Sequence, residues 1–273
     1  MQHTITTLYC LCDDLLKAME HHDDQQSRLS SSEIMTIALV SAIYFGGNFE
    51  KSRLFLHEHG YIPTLLSRSR FNRRLHALPT TCWETLFSLL AQCFKESNSS
   101  ADYVIDSIPI PVCDNIRINR CRLVKEKMYR GYCASKRRYF YGFKIHLLIT
   151  GKGQPVEFVL TPGSTSDTSA LKLLPLELSP GSTIHGDRAY NDYQEEDLLR
   201  ECADITLQPQ RKKNSKRPLP LWKEFLSKTI RQRVETCFSL LTNMFPKHIH
   251  AVTKNGFVLK LICFLIALAI KCL

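Results

Sequence analysis

The chain has 273 residues, 44% of them hydrophobic, so it can bury a core, and wholesale disorder is excluded. Lys plus Arg is 36 and Asp plus Glu is 26, a formal charge of +10 that favours a polyanionic partner. The 11 cysteines include no C-x-x-C pair, which predicts a reduced intracellular protein with mostly buried thiols. The polar amino end predicts no signal peptide.

The first hundred residues have the periodicity of helices. Ser30 and Glu33 form a capping box before an apolar run, and a later helix carries a basic polar face. We predict an all-helical DNA-binding region over residues 1–96 and a linker over residues 97–101. The arginines of the basic face are expected along a groove of a helix-turn-helix-like unit, with a solvated charged face as the alternative: Arg70, Arg73 and Arg74.

From residue 102 onward, strands alternate with helices. Strands are predicted at residues 103–112, 139–150, 155–161, 183–186 and 204–208. Helices are predicted at residues 167–176, 192–202 and 222–245. This order is that of a ribonuclease H-like fold, so residues 102–273 are predicted to form an α+β domain with a mixed sheet and flanking helices.

Three carboxylates occupy positions that a two-metal phosphodiester-cleaving site requires. Asp106 lies in an apolar strand, where an unpaired charge is costly. Asp187 follows a short strand, and Glu235 lies at the margin of the apolar face of an amphipathic helix, next to a stripe from Leu226 to Leu241. Such rigidly held oxygens suit two hard divalent cations. Each acid also has a structural alternative. Asp106 could accept hydrogen bonds from backbone amides at a strand end, Asp187 could stabilise a turn, and Glu235 could form a surface ion pair with Arg231.

The positive charge is clustered in two segments. Residues 117–144 contain ten basic residues and one acid, and residues 211–233 contain nine basic residues and one acid. We interpret both segments as phosphate footprints. In the first, Tyr139, Phe140 and Tyr141 are expected either to stack on unpaired bases near a cleavage point or to pack in the core. The predicted DNA contacts of these segments and of the turn after Asp187 are Arg130, Lys136, Arg137, Arg138, Arg188, Lys212, Lys213, Lys228 and Arg231.

The carboxyl end is very apolar, but Lys260 and Lys271 interrupt it. A membrane-spanning helix needs about 20 apolar residues. We therefore predict a buried terminal helix and no membrane partner.

Short segments throughout the chain resemble a bacterial DDE transposase of the insertion-sequence 982 type. They are Leu29 to Ile37, Ser69 to Phe71, Ile105 to Ile118, Tyr141 to His146, Leu160 to Gly163, His185 to Tyr190 and Arg231 to Glu235. The resemblance implies that Asp106, Asp187 and Glu235 hold two Mg²⁺ ions, with Mn²⁺ as a substitute, and that Asp106 bridges both. It also implies cleavage of terminal inverted repeats and strand transfer to target DNA by a homodimer on double-stranded DNA, in the bacterial cytoplasm at the nucleoid.

The sequence departs from that pattern at two positions. The wider group often has Tyr seven residues before the Glu and Lys seven after it, whereas this chain has Lys228 and Thr242. This chain therefore lacks the two side chains that normally contact the DNA end at these positions. Two other functions stay open: a cellular nuclease on the same fold, and a catalytically inactive, DNA-binding remnant of a transposase.

Overall fold

The amino-terminal third of the chain folds into helices. The computed structural model describes residues 1–133, 137–212 and 214–273. The predicted capping box is confirmed: the Glu33 amide donates to the Ser30 hydroxyl (3.1 Å), and the Ser30 amide donates to the Glu33 carboxylate (2.6 Å). The helices are α1 (Gln2–Ala18), α2 (Ser31–Tyr44), α3 (Phe49–Glu58), α4 (Arg68–Ala77) and α5 (Thr80–Glu96).

A mixed sheet follows the helices. Its strands are β1 (Asp102–Asp114), β2 (Arg130–Cys133), β3 (Arg138–Thr150), β4 (Pro155–Pro162), β5 (Thr183–Gly186) and β6 (Thr206–Pro209). The order is β4–β3–β1–β5–β6, with β2 paired to the first part of β3. Strand β3 is antiparallel to β1, β2 and β4, whereas β5 is parallel to β1 and β6. This is the strand arrangement of a ribonuclease H-like fold.

Helices cover the sheet and join it to the amino-terminal region. They are α6 (Asp167–Leu171), α7 (Tyr193–Ala203), α8 (Leu221–Met244) and α9 (Lys254–Lys271). Helix α8 packs on β1 and β5, α5 packs on β4, and α9 contacts α2, α5 and α8. One buried apolar core therefore includes both the helices and the sheet. The division at residues 97–101 into two domains stays a prediction.

The apolar carboxyl end is buried, as expected, because α9 lies among other helices. Over the described ranges, no helix has both the length and the apolar content needed to cross a bilayer.

Three local predictions differ from the structure. Helix α6 ends at Leu171 instead of continuing to residue 176, because Pro175 disfavours helical backbone before it. Strand β6 begins at Thr206, since Asp204 ends α7 with left-handed backbone (φ 52°). Strand β2, four residues long and containing Gly131, was not predicted.

Candidate active site

Asp106 lies in the middle of β1, on the strand that forms the centre of the sheet. Its Oδ1 accepts the Ser107 amide (2.7 Å), and its Oδ2 is 3.5 Å from Nη2 of Arg231 on α8. The pKa of Asp106 is raised to about 6, chiefly by burial and also by the negative charge of Asp187, against the opposing effects of the Ser107 amide and Arg231. This carboxylate is therefore short of compensating positive charge.

Asp187 directly follows β5, the parallel neighbour of β1. The register pairs Val104 with His185, so two residues further on Asp106, within β1, and Asp187, just after β5, lie at the same level of the sheet. The Asp187 carboxylate accepts the Ala189 amide (2.8 Å) and caps the turn Arg188–Tyr190. The two nominated aspartates are thus near neighbours. Each also accepts a hydrogen bond from a backbone amide, as in the structural alternatives of a strand Asp and a turn Asp.

Gly186, the last residue of β5, is closely packed rather than open. A Cβ at this position would lie 3.3 Å from Ile105 and from Tyr190. The glycine therefore makes room for the Tyr190 ring beside the strand. A side chain there would require Ile105 or Tyr190 to move by a few tenths of an ångström.

Glu235 lies on an exposed part of α8, one helical turn after Arg231. Arg231 directs its guanidinium to Asp106 and leaves its buried Nε without a hydrogen-bond partner among the described residues. Within residues 1–133, 137–212 and 214–273, no group of three or more His, Cys, Asp or Glu side chains is close enough to hold a metal ion. The structure thus brings Asp106 and Asp187 together but not Glu235. On the side of the pair that faces α8, Arg231 contacts Asp106 instead.

The buried face of α8 begins at Ser227, not at Leu226 as the apolar stripe suggested. The Ser227 hydroxyl is 2.6 Å from Nδ1 of His185, whose Nε2 is 3.2 Å from Asp102. Burial lowers the pKa of His185, so the neutral ring joins α8 to β1 and β5. This connection fixes the rotation of α8 about its axis, which determines where Arg231 and Glu235 lie.

A further acid beside the pair, Asp167 at the start of α6, was not among the acids that the sequence nominated. Its Oδ1 accepts the Ser107 hydroxyl (2.9 Å) and the Lys144 ammonium (3.1 Å). Its charge raises the pKa values of Asp106 and Tyr190. The sequence signal that was available is Lys144, a cation in a mostly apolar strand that requires a buried partner.

His146 and Tyr190 complete this buried network. The Tyr190 hydroxyl is 3.3 Å from Nδ1 of His146, and Nε2 of His146 is 3.0 Å from the Thr161 hydroxyl. Burial lowers the pKa of His146 to about 4, so its ring is neutral at physiological pH. Burial, followed by the charges of Asp167, Asp106 and Asp187, raises the pKa of Tyr190 well above its ordinary value. Tyr190 therefore keeps its proton beneath the carboxylates.

The arginines on the basic face of α4 differ: two are exposed to solvent, and one forms hydrogen bonds within the protein. Arg70 and Arg73 are exposed and line a cavity of about 370 Å³ together with Arg28. Arg74 also borders this cavity, but its Nη2 donates to Asp23 (2.7 Å) and to the Leu29 carbonyl (3.1 Å). Arg74 thus holds the α1–α2 connection, which the sequence did not indicate.

The second basic segment is partly neutralised from within the chain. Arg211 makes a bidentate pair with Glu196 (2.6 and 2.8 Å), and Arg217 makes one with Asp197 (2.8 Å for both bonds). Through these ion pairs, the connection between β6 and α8 is bound to α7. The phosphate footprint expected over residues 211–233 is reduced accordingly.

The other nominated cations differ in their surroundings. Arg188, which follows Asp187 in the chain, and Lys212 are exposed and line a cavity of about 290 Å³. Arg130 lies over the Tyr139 ring (4.2 Å), and Arg138 pairs with Asp114 (3.4 Å). The remaining exposed cations are Arg137 and Lys228. Two nominated residues lie outside the described part of the chain: Lys136 and Lys213.

The aromatic residues of the first basic segment separate into two groups. Phe140 is buried, whereas Tyr132 and Tyr139 are about half exposed and in contact (5.0 Å between ring centroids). Tyr139 precedes Phe140, which pairs with Asp114, and Asp114 lies eight residues along β1 from Asp106. At about 3.3 Å per residue, this places Tyr139 roughly 25–30 Å from Asp106. Phe140 therefore packs in the core, as the alternative foresaw, and stacking of Tyr139 on unpaired bases stays a prediction.

A central aspartate strand, a parallel neighbour ending in a second aspartate and a covering helix define the class of ribonuclease H-like DDE domains. A family model described as a transposase DDE domain matches residues 96–251 of the chain. This match covers more than half of the chain, which therefore belongs to the DDE transposase domain family. Searches of curated proteins and of solved structures found no significant match.

Proposed function

We propose that the chain is an insertion-sequence transposase of the 982 type. In this proposal it binds the terminal inverted repeats of its own element, cleaves the strands there and transfers them to target DNA, at the bacterial nucleoid. The observation that carries the proposal is the proximity of Asp106 and Asp187 within a domain of the DDE transposase family. Paired carboxylates on neighbouring strands of a domain of this family support the proposal.

Asp106 and Asp187 are the proposed core of a divalent metal site, with Glu235 as the third ligand. Carboxylate oxygens suit Mg²⁺ or Mn²⁺, and the raised pKa of Asp106 indicates a site that favours an added cation. Mg²⁺ held by these carboxylates would supply charge neutralisation and would lower the pKa of a water or a 3′-hydroxyl that attacks phosphorus. Arg231 meanwhile places a positive charge at Asp106 and balances part of the negative charge.

The position of Glu235 determines whether this centre is complete. Glu235 and Arg231 are one turn apart and so share a side of α8. For Glu235 to act as a ligand, its carboxylate has to approach Asp106 where Arg231 now lies. We propose that DNA draws Arg231 toward a phosphate and thereby makes room for Glu235.

Binding of duplex DNA is proposed for exposed cations on both parts of the chain. Arg70 and Arg73 on α4 would contact the inverted repeat, since their cavity has open positive charge. Arg188 and Lys212 would hold phosphates next to the carboxylates. The other proposed contacts are Arg130, Arg137, Arg138 and Lys228. Because two ends are joined in one reaction, we also propose a homodimer on DNA.

A second candidate is a catalytically inactive DNA-binding protein derived from a transposase. It is favoured by the exposure of Glu235, which leaves the acid pair without its third member. In that case the protein binds the inverted repeats without cutting them.

The test uses the DNA that flanks the gene of this protein. The full chain is incubated with end-labelled flanking DNA in Mg²⁺, Mn²⁺ or EDTA, beside Asp187→Ala. Glu201→Gln, an exposed acid on α7, is the matched control. Cuts at a pair of inverted repeats that require metal and Asp187 are expected. Tight binding without cuts assigns the inactive function, and neither binding nor cutting refutes the proposal for these flanks.

A further inference from the structure

Tyr190 ends the turn that Asp187 begins, and its side chain is completely buried. The Tyr190 amide donates to the Asp187 carbonyl (3.3 Å), and the Ala189 amide donates to the Asp187 carboxylate (2.8 Å). Because these bonds close the turn, its residues move together. The place where Tyr190 packs therefore determines where the Asp187 carboxylate lies.

Tyr190 packs on the face of the sheet opposite to α8. Successive side chains of a strand point to opposite faces, so Asp106 faces α8 and Ser107 faces away from it. The Tyr190 hydroxyl is 3.3 Å from Nδ1 of His146, the residue of β3 that lies directly opposite Ser107. Tyr190 thus connects the Asp187 turn to the two central strands, one residue away from Asp106.

His146, the partner of this hydroxyl, is itself held in place by its surroundings. Its Nε2 is 3.0 Å from the Thr161 hydroxyl on β4, and its Nδ1 is 3.5 Å from Oδ1 of Asp167 at the start of α6. Asp167 in turn accepts a hydrogen bond from the Lys144 ammonium (3.1 Å). The Tyr190 hydroxyl therefore meets a partner that β3, β4 and α6 fix together.

Neither space filling nor proton transfer accounts for the hydroxyl of Tyr190. Gly186 already leaves room for the ring, and a phenylalanine ring would fill the same space. Burial and the charges of the nearby carboxylates raise the pKa of Tyr190 well above its ordinary value, so the hydroxyl keeps its proton at neutral pH. A neutral, buried hydroxyl beside a fixed partner is suited to holding geometry.

The geometry at stake is that of the acid pair. Mg²⁺ requires ligand oxygens at about 2.0–2.1 Å in near-ideal octahedral positions, and groups that orient such ligands typically change metal affinity by about 10–100-fold. Asp106 is fixed within β1, whereas Asp187 lies in a turn after β5. The separation of the two carboxylates therefore depends on how firmly that turn is held.

We propose that the Tyr190 hydroxyl is a positioning group, which holds the Asp187 turn against β1 and β3 so that both carboxylates can reach one divalent cation. This inference rests on the proposed function, because it takes Asp106 and Asp187 as the core of a metal site. It assigns Tyr190 no contact with the metal or with DNA.

The test measures Mn²⁺ binding to the full chain without DNA, from the electron paramagnetic resonance signal of the free ion. Binding that Asp187→Ala loses belongs to the acid pair. Tyr190→Phe keeps the ring and removes only the hydroxyl. The matched control is Tyr129→Phe, since Tyr129 is also buried and its hydroxyl accepts a hydrogen bond from Lys254 (3.4 Å). We expect Tyr190→Phe to weaken this Mn²⁺ binding about tenfold or more, with the control unchanged.

Two further measurements separate positioning from packing. Each Phe variant removes one buried hydroxyl, so the urea midpoints of both variants in EDTA should fall by similar small amounts. Cleavage by Tyr190→Phe should recover when Mn²⁺ is raised, because excess metal compensates for weaker binding. His146→Asn can present a polar atom near the position of Nδ1 and His146→Gln near that of Nε2, so the Gln variant should weaken Mn²⁺ binding more.

Equal Mn²⁺ affinities of the wild type and Tyr190→Phe would overturn the inference. It would also be overturned if Tyr190→Phe lost far more stability in EDTA than Tyr129→Phe, or if excess Mn²⁺ restored no cleavage. A wild type without any Mn²⁺ binding that depends on Asp187 would refute the metal site of the proposed function itself. Failure of this inference is thus distinguishable from failure of the proposed function.

Discussion

Replacing Asp106 by Asn should stabilise the metal-free protein at neutral and alkaline pH. Burial and the Asp187 charge raise the pKa of Asp106 from 3.8 to about 6 in the folded chain. A group with a raised folded-state pKa contributes stability below its unfolded pKa and loses it as pH rises through the folded pKa. Above about pH 6, the wild type therefore carries the full cost of a buried charge, which Asn does not have.

The size of this effect follows from the shift. A change of about two pKa units corresponds to at most about 3 kcal/mol, and relaxation around the side chain reduces it to about 1–3 kcal/mol. The gain of Asp106→Asn should grow between about pH 4 and pH 6 and then become constant. Millimolar Mg²⁺ should stabilise the wild type and not the variant, because the ion removes the same cost.

Urea unfolding followed by circular dichroism in EDTA, over a range of pH, measures this difference. Asp14→Asn, at an exposed position of α1, is the matched control and should show no comparable gain. The reasoning is refuted if Asp106→Asn is less stable than the wild type at about pH 8, or if the difference does not change with pH.

Three other results are expected. Glu235→Gln should abolish cleavage while DNA affinity stays within about twofold, whereas Glu224→Gln should leave both unchanged; retained cleavage would remove Glu235 from the site. Arg74→Ala should lower the unfolding free energy by about 1–2 kcal/mol, because it removes the hydrogen bonds of Arg74 to Asp23 and to the Leu29 carbonyl. Arg73→Ala should weaken DNA binding at unchanged stability. Equal effects of the two variants on DNA binding would contradict this. DNA affinity should fall steeply with salt in a filter-binding titration, and a flat response would exclude a phosphate footprint.

The sheet and its two aspartates were predictable because local patterns determine them. The apolar strand around Asp106 and the short strand before Asp187 have the composition of central strands, and their order fixes the parallel neighbour. The register then aligns the two acids. The element boundaries that failed depended on single residues such as Pro175 and Asp204, which stop or bend the backbone.

The details of the site were not predictable because they depend on contacts between distant residues. The pairing of Arg231 with Asp106 joins positions 125 residues apart, and helix periodicity gave no means of choosing it over Glu235. The same holds for Asp167, whose partners Ser107 and Lys144 come from two other elements. Ion pairs such as Arg211 with Glu196 likewise remove charge from a segment that looks open in the sequence.

Strand cleavage by Asp106→Asn, Asp187→Asn and the double variant tests the central claim most directly. If the two aspartates act on one metal-dependent centre, each single change should abolish Mg²⁺-dependent cutting at the inverted repeats, and the double change should add nothing further. DNA binding should persist in all three variants. Cutting that survives either single change, or losses that multiply in the double variant, would contradict a shared centre at Asp106 and Asp187.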